Sequence, residues 1–325
     1  MITLSLAPYG PGIHRGMSFA DYAAIKAVNK SSLALVATSP EDCLASLEGR
    51  YHRDSSGFAI GSALDDLMTT NMTPEQWSAA HPVASTCQAT LASGDRKGEA
   101  CGCETKNRFG DQWLCGKHGK GKPDAVATLT ASDLVAINAM RKALLESSMA
   151  PLFGNMRASQ LVVLWEDEET GLFCKARLDG VSVCQLPGYD APCSIRWDLK
   201  TTAASGVHEF QRQANDLGYY LQDAHYTAGA NAIAKLQGKE ETDGNFVFAV
   251  ACKAPSGPLG RHRVFPWTYD DATRQKAKEE RKYLIRKLKD CLDRGEFPPE
   301  KIEAIQVGTA PDFIFSHLKQ ESMTP

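Results

Sequence analysis

Two short runs place acids and a lysine where strand geometry makes them neighbours. Side chains alternate faces along a strand. In Ser194-Ile195-Arg196-Trp197-Asp198-Leu199-Lys200 the apolar Ile195, Trp197 and Leu199 therefore share one face, and Arg196, Asp198 and Lys200 the other. In the preceding run Leu172, Cys174, Ala176 and Leu178 take a buried face, leaving Lys175, Arg177 and Asp179 on a polar one. If the two strands pair, Asp179 and Asp198 converge. Converging carboxylates repel unless a cation lies between them, and hard oxygen ligands suit Mg²⁺ or Mn²⁺. The chemistry that follows is metal-assisted hydrolysis of a phosphate ester, with Lys200 orienting or activating the attacking water and offsetting charge on the phosphate. The plain alternative is a solvated sheet face with a cross-strand ion pair.

A helical run follows in which Tyr219, Gln222 and Tyr226 stand three and four residues apart, on one face. A glutamine and two phenols beside the acidic strands could hold water or a nucleic-acid strand, or form an amphipathic edge of the core. A second constellation lies upstream. Cys87, Cys101, Cys115 and His118 give C-x13-C-x13-C-x2-H, ending in a tight glycine-containing turn. Three thiolates and an imidazole make a closed shell for structural Zn²⁺, which would supply the folding energy this polar stretch lacks. Cys103 competes as second ligand. An iron–sulfur cluster on Cys87, Cys101, Cys103 and Cys115 is the rival, and free loop thiols are the plain reading.

The elements that must position these residues read as a mixed α/β order. Phe19 to Tyr51 predicts two short helices with a stop and restart at Ser39-Pro40. Gly57 to Thr70 predicts a closely packed helix around Gly61-Ser62-Ala63. Residues 84–122 show no period of either kind and read as an insertion. Its basic residues Arg96, Lys97, Lys106, Arg108, Lys117, Lys120 and Lys122 offer contacts to a DNA backbone, or keep the insert soluble. Ser132 reads as the cap of the next helix. A three-strand meander then runs through Leu161–Trp165, Leu172–Val183 and Ser194–Lys200, with Glu166 and Glu168 as reserve acids. His208 to Ala230 reads as a helix, Asn245 to Cys252 as a strand and Ala272 to Leu292 as a long helix stopped by Gly295. Between Arg274 and Arg294 nine Lys or Arg face four acids, either a phosphate-tracking surface or a solvated one.

Composition bounds the rest. At 325 residues, 43% of them hydrophobic, the chain can bury a sizeable core. A net charge of −3 excludes a globally basic DNA binder, so any such contact must be local. The longest apolar run, Phe246 to Cys252, has strand length and falls far short of the roughly 18 residues that span a bilayer, which excludes a membrane protein. Without a secretory signal pattern the expected compartment is the cytoplasm.

The strings TGLFCKARLDG, WDLKTT and YYLQDAHY, in that order, resemble the PD-(D/E)XK nuclease superfamily and within it the RecE-like, exodeoxyribonuclease VIII-type exonucleases of phages and prophages. The similarity runs from about Asn29 to Leu292 and includes the GSALDDL helix. It implies a restriction-endonuclease-like α/β core, a mixed central sheet flanked by helices, forming one nuclease domain over 1–325 with a module inserted at 84–122 and a tail at 307–325. It implies Asp179 as the motif aspartate, Asp198 and Lys200 as the D-x-K pair, and Gln222 with Tyr226 as the Gln-xxx-Tyr motif. The Mg²⁺ shell would comprise Asp179, Asp198, the Leu199 carbonyl and Asp65. Asp65 stands four after Gly61, where the family commonly has histidine, and Leu178 stands where it has proline. The activity implied is ATP-independent, Mg²⁺-dependent digestion of linear double-stranded DNA from its ends. The implied setting is phage-type recombination beside a single-strand annealing protein, as a homo-oligomer, in a bacterial or phage-infected cytoplasm. A non-catalytic DNA-binding protein on the same fold, to which Asp65 would point, and an endonuclease using the same site are the competing readings.

Overall fold

The computed structural model describes residues 2–50, 58–105, 107–110, 112–120, 126–240 and 245–299. Strand β1 (Gly12–His14) leads into helices α1 (Phe19–Ala24), α2 (Lys30–Thr38) and α3 (Pro40–Leu47). Three helices stand where spacing predicts two, because Ser18, Asn29 and Ser39 each accept a backbone N–H of the turn that follows. Next come α4 (Phe58–Thr69) and α5 (Pro74–Ala80). Gly61 lets α4 approach the sheet closely: a Cβ there would stand 3.1 Å from the Thr201 hydroxyl.

Among the described residues, the segment that follows α5 holds the short strands β2 (Ser85–Thr86), β3 (Glu104–Thr105), β4 (Asn107–Phe109), β5 (Gln112–Trp113) and β6 (Val126–Ala127). They pair among themselves as β2-β3 and β5-β4-β6, and the base of the segment closes where Val83 bridges Leu129. Helix α6 (Ala131–Leu145) is capped by Thr130, not Ser132. Thr130 exchanges reciprocal bonds with Asp133 three residues on, the spacing a capping box requires. The short α7 (Ala150–Gly154) follows.

The central sheet is built from β7 (Met156–Glu166), β8 (Phe173–Cys184), β9 (Cys193–Thr202), β10 (Asn245–Ser256) and β11 (Arg261–Trp267), in the order β1-β7-β8-β9-β10-β11. Strands β7, β8 and β9 form the expected antiparallel meander. Between β9 and β10 the chain passes through α8 (Val207–Asp216) and α9 (Tyr219–Leu236), which lets β10 return parallel to β9. One long helix was the expectation over His208 to Ala230. It breaks because Gly218 adopts φ 61°, a left-handed conformation that glycine takes without steric cost. Strand β11 is unheralded in the sequence; at the sheet edge it tolerates Pro266, which cannot donate to a ladder.

Helices cover both faces of the sheet. On one side Ile195, Trp197, Leu199, Val247, Ala249 and Ala251 pack with α4 and α6. On the other, Leu161, Val163, Trp165, Cys174, Ala176 and Leu178 pack with α2, α9 and α10 (Asp271–Arg294). Strand β10 also buries Phe246, Phe248 and Val250 among aromatic rings, which explains its unbroken apolar run. Lys175 is not on a solvated face. Its ammonium is buried and donates to the carbonyls of Tyr22, Ala23 and Ile25, capping the C-terminal end of α1. The tail after Val307 lies outside the described residues, and among those described no helix is long and apolar enough to cross a membrane.

Candidate active site

Alternation along β9 turns Arg196, Asp198 and Lys200 toward α8 and α9. Gln222 Nε2 donates to Asp198 Oδ1 at 2.5 Å, and the Lys200 ammonium pairs with Asp198 Oδ2. The same ammonium lies 4.9 Å from the centroid of the Tyr219 ring, which stacks on Phe248. Burial works against the Lys200 charge, but Asp198, Tyr219 and Asp179 outweigh it and raise the pKa. The carboxylates beside it thus hold Lys200 as a cation. Burial and the nearby Asp198 push the Tyr226 phenol well above the ordinary range, so it keeps its proton.

Asp179 comes from β8, and its Oδ2 accepts the Leu199 N–H at 2.7 Å, one residue past Asp198. Asp65 comes from α4. Burial raises its pKa to about 6, with Asp198 and Asp66 adding repulsion and bonds from Gln160 and Thr69 opposing it. Burial likewise raises Asp179, and Asp198 and Asp65 add to the shift. Three carboxylates from three elements thus feel one another, with one lysine to offset them. This is the donor chemistry of a hard divalent cation. Among the described residues, the compact group of three or more metal-ligating side chains is the Cys/His group described below.

Several residues outside the expected metal and catalytic set support this arrangement. Gln160 on β7 donates to Asp65 Oδ2 at 2.9 Å and to Thr69 Oγ1 at 2.6 Å. Asp223, beside Gln222, is buried against Arg274 Nε at 3.0 Å. Arg196 donates to Thr227 at 3.3 Å, so β9, α9 and α10 are tied together beneath Asp198. For Asp223, a charged residue on the buried stretch of α9 is the available signal. Glu166 and Glu168 do not join the site: Glu166 ends β7, Glu168 lies in the turn after it, both are exposed, and Glu168 pairs with Lys235. Helix α10 spends much of its positive charge internally, Arg281 on the buried Asp167, Arg274 on Asp223 and Arg286 on Glu169.

The inserted segment brings Cys87, Cys101, Cys115 and His118 together, all four ligand atoms within 4.8 Å of one another. His118 Nδ1 lies 3.4 Å from Cys87 Sγ and 3.3 Å from Cys115 Sγ. Ligands about 2.0–2.3 Å from a central Zn²⁺ require spacings of this order. The His118 and Lys117 amides point at Cys115 Sγ and lower its thiol to about 6, against some burial cost. Cys103 is exposed and outside the group, so the set is three cysteines and a histidine, not the four cysteines of the iron–sulfur alternative. Lys106 and Lys122 of the basic set lie outside the described residues.

No protein-family model and no curated protein matches this sequence. Among solved structures, the chain is similar to a putative exonuclease from Eubacterium rectale, at 15% identity and a TM-score of 0.54, over 94% of this chain and 98% of that one. The two proteins share a fold. At this identity the likeness concerns the mixed sheet and its flanking helices.

Proposed function

We propose that the protein is a Mg²⁺-dependent nuclease of the PD-(D/E)XK type that digests linear double-stranded DNA from its ends. This reading rests on the mutual repulsion of the Asp65, Asp179 and Asp198 carboxylates, from α4, β8 and β9, beside the Lys200 ammonium. The fold shared with the bacterial exonuclease structure supports it. Asp65, Asp179 and Asp198, with the Leu199 carbonyl, would hold Mg²⁺, which when bound supplies Lewis acidity toward the scissile phosphate. Gln222 fixes the Asp198 carboxylate, and Tyr226 lies one turn further along the same helix. Lys200 presents its ammonium to the negative charge that grows on the phosphate. Tyr219 supports that ammonium from below. The insert would hold structural Zn²⁺ on Cys87, Cys101, Cys115 and His118. A recombination setting, an annealing partner and self-association belong to the same reading through the sequence resemblance.

The test is digestion of end-labelled linear duplex against covalently closed circular DNA, with and without Mg²⁺, beside Asp198→Ala. Mg²⁺-dependent loss of the linear form alone, absent in the variant, is expected. Cleavage of the circle would make it an endonuclease, and binding without cleavage a non-catalytic DNA-binding protein.

A further inference from the structure

Gln160 is the only non-glycine residue with positive φ among the described residues, at 48°, and it lies inside strand β7. A left-handed residue in a strand is strained unless it is glycine, and such strain persists where the surroundings impose it. Its consequence is visible in the packing. Ala158 and Leu161, three apart, both join the cluster under α9, which strict alternation forbids. On the neighbouring strand Leu178 and Val181 do the same. The register pairs Ser159↔Gly180 and Leu161↔Leu178 bracket Gln160 and Asp179, so both strands slip face at one level. That level holds the motif aspartate.

The slip sends the Gln160 side chain to α4, where both amide hydrogens are used, one on Asp65 Oδ2 and one on Thr69 Oγ1. A carboxylate only accepts, so the amide nitrogen must face it. Thr69 Oγ1 also donates to the Asp65 backbone carbonyl at 2.8 Å. Asp65 Oδ1 has only a 3.2 Å contact to Thr69. One carboxylate oxygen is thus clamped and the other is left lightly engaged, beside two acids that repel it.

We infer that Gln160 is a positioning residue, held in a strained conformation so that its amide fixes Asp65 as the third carboxylate of the site. The inference rests on the nuclease reading above. Glycine would relieve the backbone and remove the clamp, which separates this role from a structural one.

The experiment compares full-length, zinc-loaded wild type with Gln160→Gly, Asp65→Asn, Asp198→Asn and the Gln160→Gly/Asp65→Asn double variant. It measures the melting temperature without added divalent metal and Mn²⁺ affinity by calorimetry. Gln160→Gly should melt at or above wild type yet bind Mn²⁺ about tenfold more weakly. The double variant should bind no more weakly than Asp65→Asn. Wild-type Mn²⁺ affinity in Gln160→Gly, or a melting temperature below wild type, overturns the inference while leaving the nuclease reading intact. Wild-type affinity in Asp65→Asn and Asp198→Asn as well means that the metal reading of the site has failed, and this inference with it.

Discussion

The Gln222 amide donates to Asp198 Oδ1 at 2.5 Å, while Lys200 takes the other oxygen of the same carboxylate. Asp198 and Gln222 are 3% and 5% exposed, so water competes little for this bond and the amide fixes the carboxylate's orientation. Helix α9 thereby sets the orientation of a group on β9, and the orientation exists before any ligand arrives.

Replacing Gln222 by methionine keeps the side-chain volume but leaves a buried oxygen without its donor. The expected cost is about 1–3 kcal/mol in urea unfolding. Nuclease activity should fall with it, although Gln222 has no charge to contribute.

Gly180, next to Asp179, faces the Trp197 ring so closely that a Cβ would stand 2.1 Å from it. The ring is fully buried and pinned by a 2.9 Å bond from Nε1 to Ser182. Gly180→Ala must therefore displace backbone, at about 1–3 kcal/mol or more. Because the displacement falls beside Asp179, Mn²⁺ affinity should weaken as well, which calorimetry would show.

His225 is buried on α9 against Trp165, with Nε2 donating to the Lys175 carbonyl at 3.2 Å. Burial, with Arg281 adding to it, lowers its pKa from 6.5 to about 3. A depressed folded-state value means the fold admits only the neutral ring. Its contribution is intact above about 6.5 and is lost as the pH falls toward 3. His225→Gln keeps a donor for Lys175 and removes the titration. Whatever its stability at pH 7, that variant should lose less on going from pH 7 to pH 5 than wild type does, as read by chemical unfolding.

These cases show which parts of the molecule could be read from its residues. The strand through Asp198 was legible because alternation is a local rule, and the Cys/His group because metal ligands come from few residue types. The clamp on Asp65 was not. Gln160 and Asp65 are 95 residues apart, and a glutamine in a strand carries no sign of a left-handed φ. Gly218 broke a helix whose apolar period continued across it, and the cap of α6 fell on Thr130 when Ser132 offered the same chemistry two residues later. Strand β11 was missed because its pattern is short, charged and interrupted by Pro266.

The Cys87, Cys101, Cys115 and His118 group predicts about one equivalent of zinc per purified chain. Elemental analysis should find it lost in Cys115→Ser and His118→Ala and retained in Cys103→Ser. Loss in Cys103→Ser would mean that the exposed cysteine, not the observed four, completes the shell.

The most direct test of the site itself is the position of a bound metal. Crystals soaked in Mn²⁺ should give an anomalous peak about 2–2.5 Å from carboxylate oxygens of Asp179 and Asp198, with Asp65 beside it. Anomalous density only at exposed acids such as Glu166, with none among these three, would contradict the account.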